Sequence, residues 1–246
     1  MKHTRHLSGC LTALLLLGCA CVHAQEMPEL RTFQQMAGSR SALYRGLLAD
    51  RQEAQANGNP YWSTSEFLPG DIVFEGRIYR DIPLNINALN QRVLVKSASN
   101  MVYAAVLSPG QVSSIDLEGH HFVGTGPEET EIPQGFYEVL GKGPSRVYKQ
   151  VTKRLNSSTE NMNGDPIGYY DPDYKTSVFS YYEIHRSYYF RDHDGHFSRI
   201  RNRNALIRKF PGSRKEIRKA LRNTPLNNPG SDFDAFCISV LKIAEP

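Results

Sequence analysis

The sequence predicts an α+β protein: an antiparallel β meander, forming an open sheet or a partly closed barrel, with an N-terminal helix and short C-terminal helices. Three observations carry this. From Tyr61 to Ile200 apolar and polar residues alternate, the period of a half-buried strand. The alternating runs are separated by short turns rich in Gly, Asn and Asp, and such joins connect antiparallel neighbours, whereas parallel strands require long crossovers. On either side of this region apolar residues recur at helical spacing.

In chain order, residues 1–24 read as an export leader. Lys2, Arg5 and His6 precede an apolar run over 11–17, and small residues end at Ala24. The run is shorter than the roughly 20 residues of a spanning helix, and no later segment approaches that length, so the chain is not expected to be transmembrane. Cleavage after Ala24 leaves Gln25 first. A second cut is offered by Leu16, Leu17, Gly18 and Cys19, which resemble a lipoprotein box whose cysteine becomes the lipidated first residue.

Residues 25–60 form a helical segment and linker. Leu43, Tyr44, Leu47 and Leu48 recur at helical spacing within 26–56, and Asn57, Gly58, Asn59 and Pro60 end the pattern. The β domain spans 61–201. Strands are expected at 72–74 and 77–79 around Glu75 and Gly76, at 92–97 and 101–107, and at 112–117 and 120–123 around Glu118 and Gly119. Two further pairs follow, 136–140 with 146–155 and 179–190 with 196–200. Residues 156–177, rich in Asn, Ser, Asp, Gly and Pro, form the longest loop. The segment 202–246 turns helical: one helix over 204–210, a second to Arg222 with Ser213 and Glu216 as a capping box, and a last one from Asp232 to Ile243. Leu206, Ile207, Phe210, Ile217 and Leu221 are expected to dock on the sheet while the cations between them face water.

Charge and cysteine usage narrow the function classes. After removal of the leader, 27 basic residues stand against 25 acidic ones, a net charge of +2. Three of the four cysteines lie in the leader, so no internal disulfide can form, and Cys237 sits among apolar residues as a small buried side chain. Between Arg199 and Arg222, ten Arg and Lys face only Glu216. The aromatic residue in the run, Phe210, is expected to dock on the sheet and so is not available for base stacking, and nucleic acid is not an expected partner. The run reads as a solvated helix face or as a contact for an anionic envelope surface through Arg214, Lys215, Arg218 and Lys219.

The hairpin segment Phe74, Glu75, Gly76, Arg77, Ile78, Tyr79, Arg80, Asp81, Ile82, Pro83 and Leu84 resembles that of secreted proteins of unassigned function from Bacteroidetes-type bacteria. So does the tail, with Tyr189, Phe190, Asp194, Gly195, the basic run, Phe210, Pro211, Lys215, Glu216 and Ile217. The resemblance implies an exported, periplasmic protein and transfers no catalytic residues.

Site candidates are few. His120 and His121, with Asp116 and Glu118 upstream, are possible metal ligands, but neighbours on a strand point to opposite faces. His185, Asp192, His193, Asp194 and His196 form a richer group, in which Asp192, Asp194 and Gly195 read as a hairpin turn because the sequence after Gly195 lacks the Glu of a calcium loop. No hydrolase, phosphate-loop or dinucleotide motif occurs in the chain. No metal, cofactor or catalytic residue is therefore assigned. Tyr181, Tyr182, Tyr188 and Tyr189 concentrate on one strand, either as a platform for a glycan or peptide or as the amphipathic side of a sheet. The reading that results is a non-enzymatic envelope protein binding a protein, glycan or anionic surface, with a secreted hydrolase assembled across strands as the alternative.

Overall fold

The computed structural model describes residues 41–45, 47–49, 56–97, 100–158, 179–222 and 231–245. The expected leader, most of the N-terminal helix and most of the 156–177 loop lie outside these residues. Within the described part of that helix, only Ala42–Tyr44 is helical, as a 3₁₀ turn, and Leu47 and Leu48 form a short strand instead. Pairing with a sheet edge replaces helical propensity there, since Leu47 and Leu48 lie opposite Val106 and Ala105.

The strands are β1 (Leu47–Leu48), β2 (Leu68–Phe74), β3 (Arg77–Asn87), β4 (Arg92–Ser97), β5 (Asn100–Leu107), β6 (Val112–Leu117), β7 (His120–Thr125), β8 (Gly135–Leu140), β9 (Arg146–Ser158), β10 (Phe179–Arg191) and β11 (Phe197–Ile200). They form one open antiparallel sheet in the order β1-β5-β4-β3-β2-β6-β7-β8-β9-β10-β11. Two meanders, β2 to β5 and β6 to β11, thus join along β2 and β6. The chain crosses between them through a 3₁₀ turn at Pro109–Gln111. The sheet curls far enough for the turn after β3 to reach β9: Lys153 donates its backbone N–H to Ala88 at 3.0 Å, and Gln91 bridges the Val151 carbonyl and the Phe136 amide.

Alternation then decides what is buried. On one face Ile72, Leu84, Val93, Val95, Leu107, Ile115, Phe122 and Phe136 make the larger core inside the curl, closed by Leu43 and Trp62. On the opposite face Tyr137, Tyr148 and Tyr189 form a smaller cluster with Ile132. A third cluster lies where the helices pack: α1 (Arg203–Ile207), α2 (Arg214–Ala220) and α3 (Ser231–Ala244). Leu206, Ile207, Phe210, Ile217 and Leu221 all join it, with Phe236, Cys237, Val240 and Leu241 from α3. Asn202 caps α1 by accepting from the Ala205 amide at 2.9 Å. Ser213 occupies the N-cap of α2, but its side chain makes no cap bond, so the expected capping box does not form. Packing of Ile217 holds that helix instead.

Candidate functional site

Glu138 of β8 and Lys149 of β9 stand directly opposite one another in the sheet register. Alternation places both on the core side, Glu138 between Phe136 and Leu140 and Lys149 next to Val147. A buried charge is costly unless paired, and this one is paired on two sides. The Lys149 ammonium donates to Glu138 Oε2 at 2.9 Å and to Asp234 Oδ2 of α3 at 2.6 Å. Asp234 Oδ1 accepts from the Tyr188 hydroxyl at 2.9 Å, and Glu138 Oε1 lies 2.6 Å from His120 Nδ1. A polar chain of five side chains, His120, Glu138, Lys149, Asp234 and Tyr188, therefore runs between the sheet core and the helical cluster.

The electrostatics follow from burial and charge count. Burial alone would pull the Lys149 ammonium down; the hydrogen bonds it donates to Asp234 and Glu138, and their charges, outweigh it and hold it above its ordinary value. The Tyr188 hydroxyl is pushed up, first by burial and then by the Asp234 charge. His120 is held from two directions, by the Glu138 carboxylate and by the edge of Trp62 with ring centroids 4.9 Å apart. The described residues leave its Nε2 without a protein partner.

His120 and Glu138, at one end of this polar chain, line a cleft of about 790 Å³, within the size range of small-molecule sites. The cleft lies between the turn at Gly119, the turn joining β8 to β9, and the C-terminal half of α3. Ile238 and the edges of the largely buried Leu140 and Leu241 supply its apolar surface, and Lys142, Arg146 and Lys242, all exposed, stand around it. Two glycines shape the walls. Glu118 and Gly119 have φ of 51° and 80°, the tight hairpin turn that aims His120. Gly141 has φ of +90°, and a Cβ there would lie 2.5 Å from Leu241 Cδ1, so only glycine lets the turn approach α3 this closely. Glu245 fastens the same corner by accepting from the Ser145 amide at 3.1 Å.

The residues singled out from sequence divide. Tyr188 and Tyr189 are each 7% exposed, in different clusters on opposite faces, which removes them from any solvent-facing platform. Tyr181 and Tyr182 are half-buried near the segment around Asn57, with Tyr182 donating its amide to the Asn57 carbonyl. Arg214, Lys215, Arg218 and Lys219 are exposed on α2. The two histidine groups do not converge. His121 turns to Asp116 at 2.7 Å while His120 turns to Glu138, and Asp192 Oδ1 accepts the Asp194 and His196 amides of its own turn. His196 pairs with Glu131 at 2.9 Å, which raises the imidazole. Hydrogen bonds from the Phe197 amide and His196 lower the Glu131 carboxyl. Among the described residues no three His, Cys, Asp or Glu side chains gather as a metal site.

Sequence reasoning missed Glu138, Lys149 and Asp234. One signal was present: Lys149 shares strand parity with Val147 and Val151, so alternation alone places a lysine on the buried face. Its partners are 11 and 85 residues away, beyond any local pattern. Burial pushes the Cys237 thiol well above its ordinary value, consistent with an inert core residue. Comparison with protein-family models, curated proteins and solved structures finds no match. Among the described residues no helix is long and apolar enough to cross a membrane.

Proposed function

We propose that this is an exported cell-envelope protein that acts by non-covalent binding, and that its ligand enters the cleft between the β8–β9 turn and α3. The observation that carries this is the cleft's construction. An apolar surface is held in place by a buried, hydrogen-bonded ion cluster that fixes α3 on the sheet, so the cavity is preformed rather than assembled by the ligand. The basic leader and the resemblance to secreted proteins support export. The exposed cations of α2 suit an anionic envelope surface, and Tyr181 with Tyr182 remain a lesser candidate contact for a glycan.

Titration with the uncharged apolar dye Nile red tests the cleft. One saturable site per chain is expected, lost in an Ile238→Trp variant that keeps the parent's thermal transition; the absence of a saturable site, or binding indifferent to that substitution, contradicts the proposal.

One observation favours a second reading, hydrolysis. Glu138 holds the His120 ring through Nδ1 at 2.6 Å and leaves Nε2 without a protein partner among the described residues, the arrangement of a general base that activates water. Turnover of 4-nitrophenyl esters that disappears in His120→Ala and is unchanged in Cys237→Ala would support it.

A further inference from the structure

Resting on the binding reading above, we infer that the cleft's ligand is an amphipathic organic acid, an apolar chain or ring ending in a carboxylate. The apolar part of the argument is Ile238, half-buried on α3, with the edges of Leu140 and Leu241, which are otherwise packed in the core. The acidic part is the charge balance of the walls. Lys142, Arg146 and Lys242 form no ion pair among the described residues, and of the three only Arg146 makes a polar contact there, donating from Nε to the Gly143 carbonyl at 3.3 Å.

Of the two carboxylates in the lining, Glu138 is engaged by His120 and Lys149. Glu245 accepts from the Ser145 amide through Oε2, while its buried Oε1 lies 3.4 Å from His193 Nε2 and makes no hydrogen bond among the described residues. The C-terminal end of α3 adds about half a negative charge to this rim, which Lys242 in its last turn offsets. Unpaired cations around an apolar surface therefore leave the site electrostatically incomplete, and a carboxylate on an apolar body satisfies both at once. A neutral apolar molecule would leave the cations without a counter-charge.

The test uses full-length mature protein, the fluorescent fatty acid cis-parinaric acid, and dodecanoate and dodecanol as competitors. Dodecanoate is expected to displace the probe on the order of tenfold more effectively than dodecanol, with the advantage shrinking as salt is raised. In the Lys142→Gln, Arg146→Gln, Lys242→Gln variant, whose substitutions are all at exposed positions, that advantage should disappear while dodecanol still competes. Equal competition by acid and alcohol in the parent overturns the acid assignment and leaves the cleft-binding reading standing. Failure of both, together with loss of Nile red binding, overturns both. Binding to vesicles of phosphatidylglycerol without binding of monomeric dodecanoate also overturns it, because the anion recognised is then a lipid surface.

Discussion

At the scale of single residues, Lys149 holds the architecture together, because it lies between two carboxylates contributed by different elements. Removing it leaves the buried Glu138 and the half-buried Asp234 without their counter-charge, and breaking a buried pair in this way costs about 3–5 kcal/mol. Lys149→Met is thus expected to lower the urea midpoint strongly, and adding Glu138→Gln to that variant should recover part of the loss, as urea unfolding at pH 7 will show. An additive double variant would contradict the coupling. The residue scale is also where the sequence was least legible. A lysine in an alternating strand looks like a solvent-facing position until its parity is compared with Val147 and Val151, and its partner Asp234 lay in a segment read as a helix for its apolar face alone.

At the scale of elements, the hairpins were legible because turn chemistry is local: Gly76, Gly119 and Gly195 all have the positive φ that their turns demand. The order of strands was not. Pairing of β2 with β6, and of β1 with β5, depends on which edges remain free after each meander forms, and no local pattern encodes that. The helices on the cleft side make two predictions. Gly141→Ala combines a disfavoured φ with a Cβ driven into Leu241, so a loss of about 1–3 kcal/mol is expected, with faster amide exchange in the last turns of α3. For α2, spacing correctly put Ile217 inward and the cations outward. The variant with Arg214, Lys215, Arg218 and Lys219 all changed to Gln should keep its stability within about 0.5 kcal/mol per site. It should also lose salt-sensitive association with anionic vesicles, as a sedimentation assay would measure. Unchanged vesicle association removes the envelope-surface role of this helix.

At the scale of the whole molecule, the groups that bind α3 to the sheet impose one pH dependence. Lys149, Tyr188 and Cys237 all have folded-state values raised above their ordinary 10.5, 10.0 and 9.0. A raised value means that the stabilisation is complete below the ordinary value and is lost as pH climbs through the folded one. Thermal unfolding should therefore show the protein weakening from about pH 9 upward, and more steeply than a Lys149→Met, Tyr188→Phe variant. Parallel alkaline curves for the two proteins would contradict this.

The cleft was out of reach of sequence for the same reason that the curl of the sheet was. Both require the β8–β9 turn and the tail to meet, and Ser145 and Glu245 are 100 residues apart. The central claim is that this meeting point is where a ligand binds. Its most direct measurement is a heteronuclear NMR titration of the protein with dodecanoate. The predicted result is a saturable set of shifted amides confined to Gly119, His120, residues 139–146 and the C-terminal half of α3. Shifts confined to Tyr181, Tyr182 or α2, or no saturable shift at all, would contradict it.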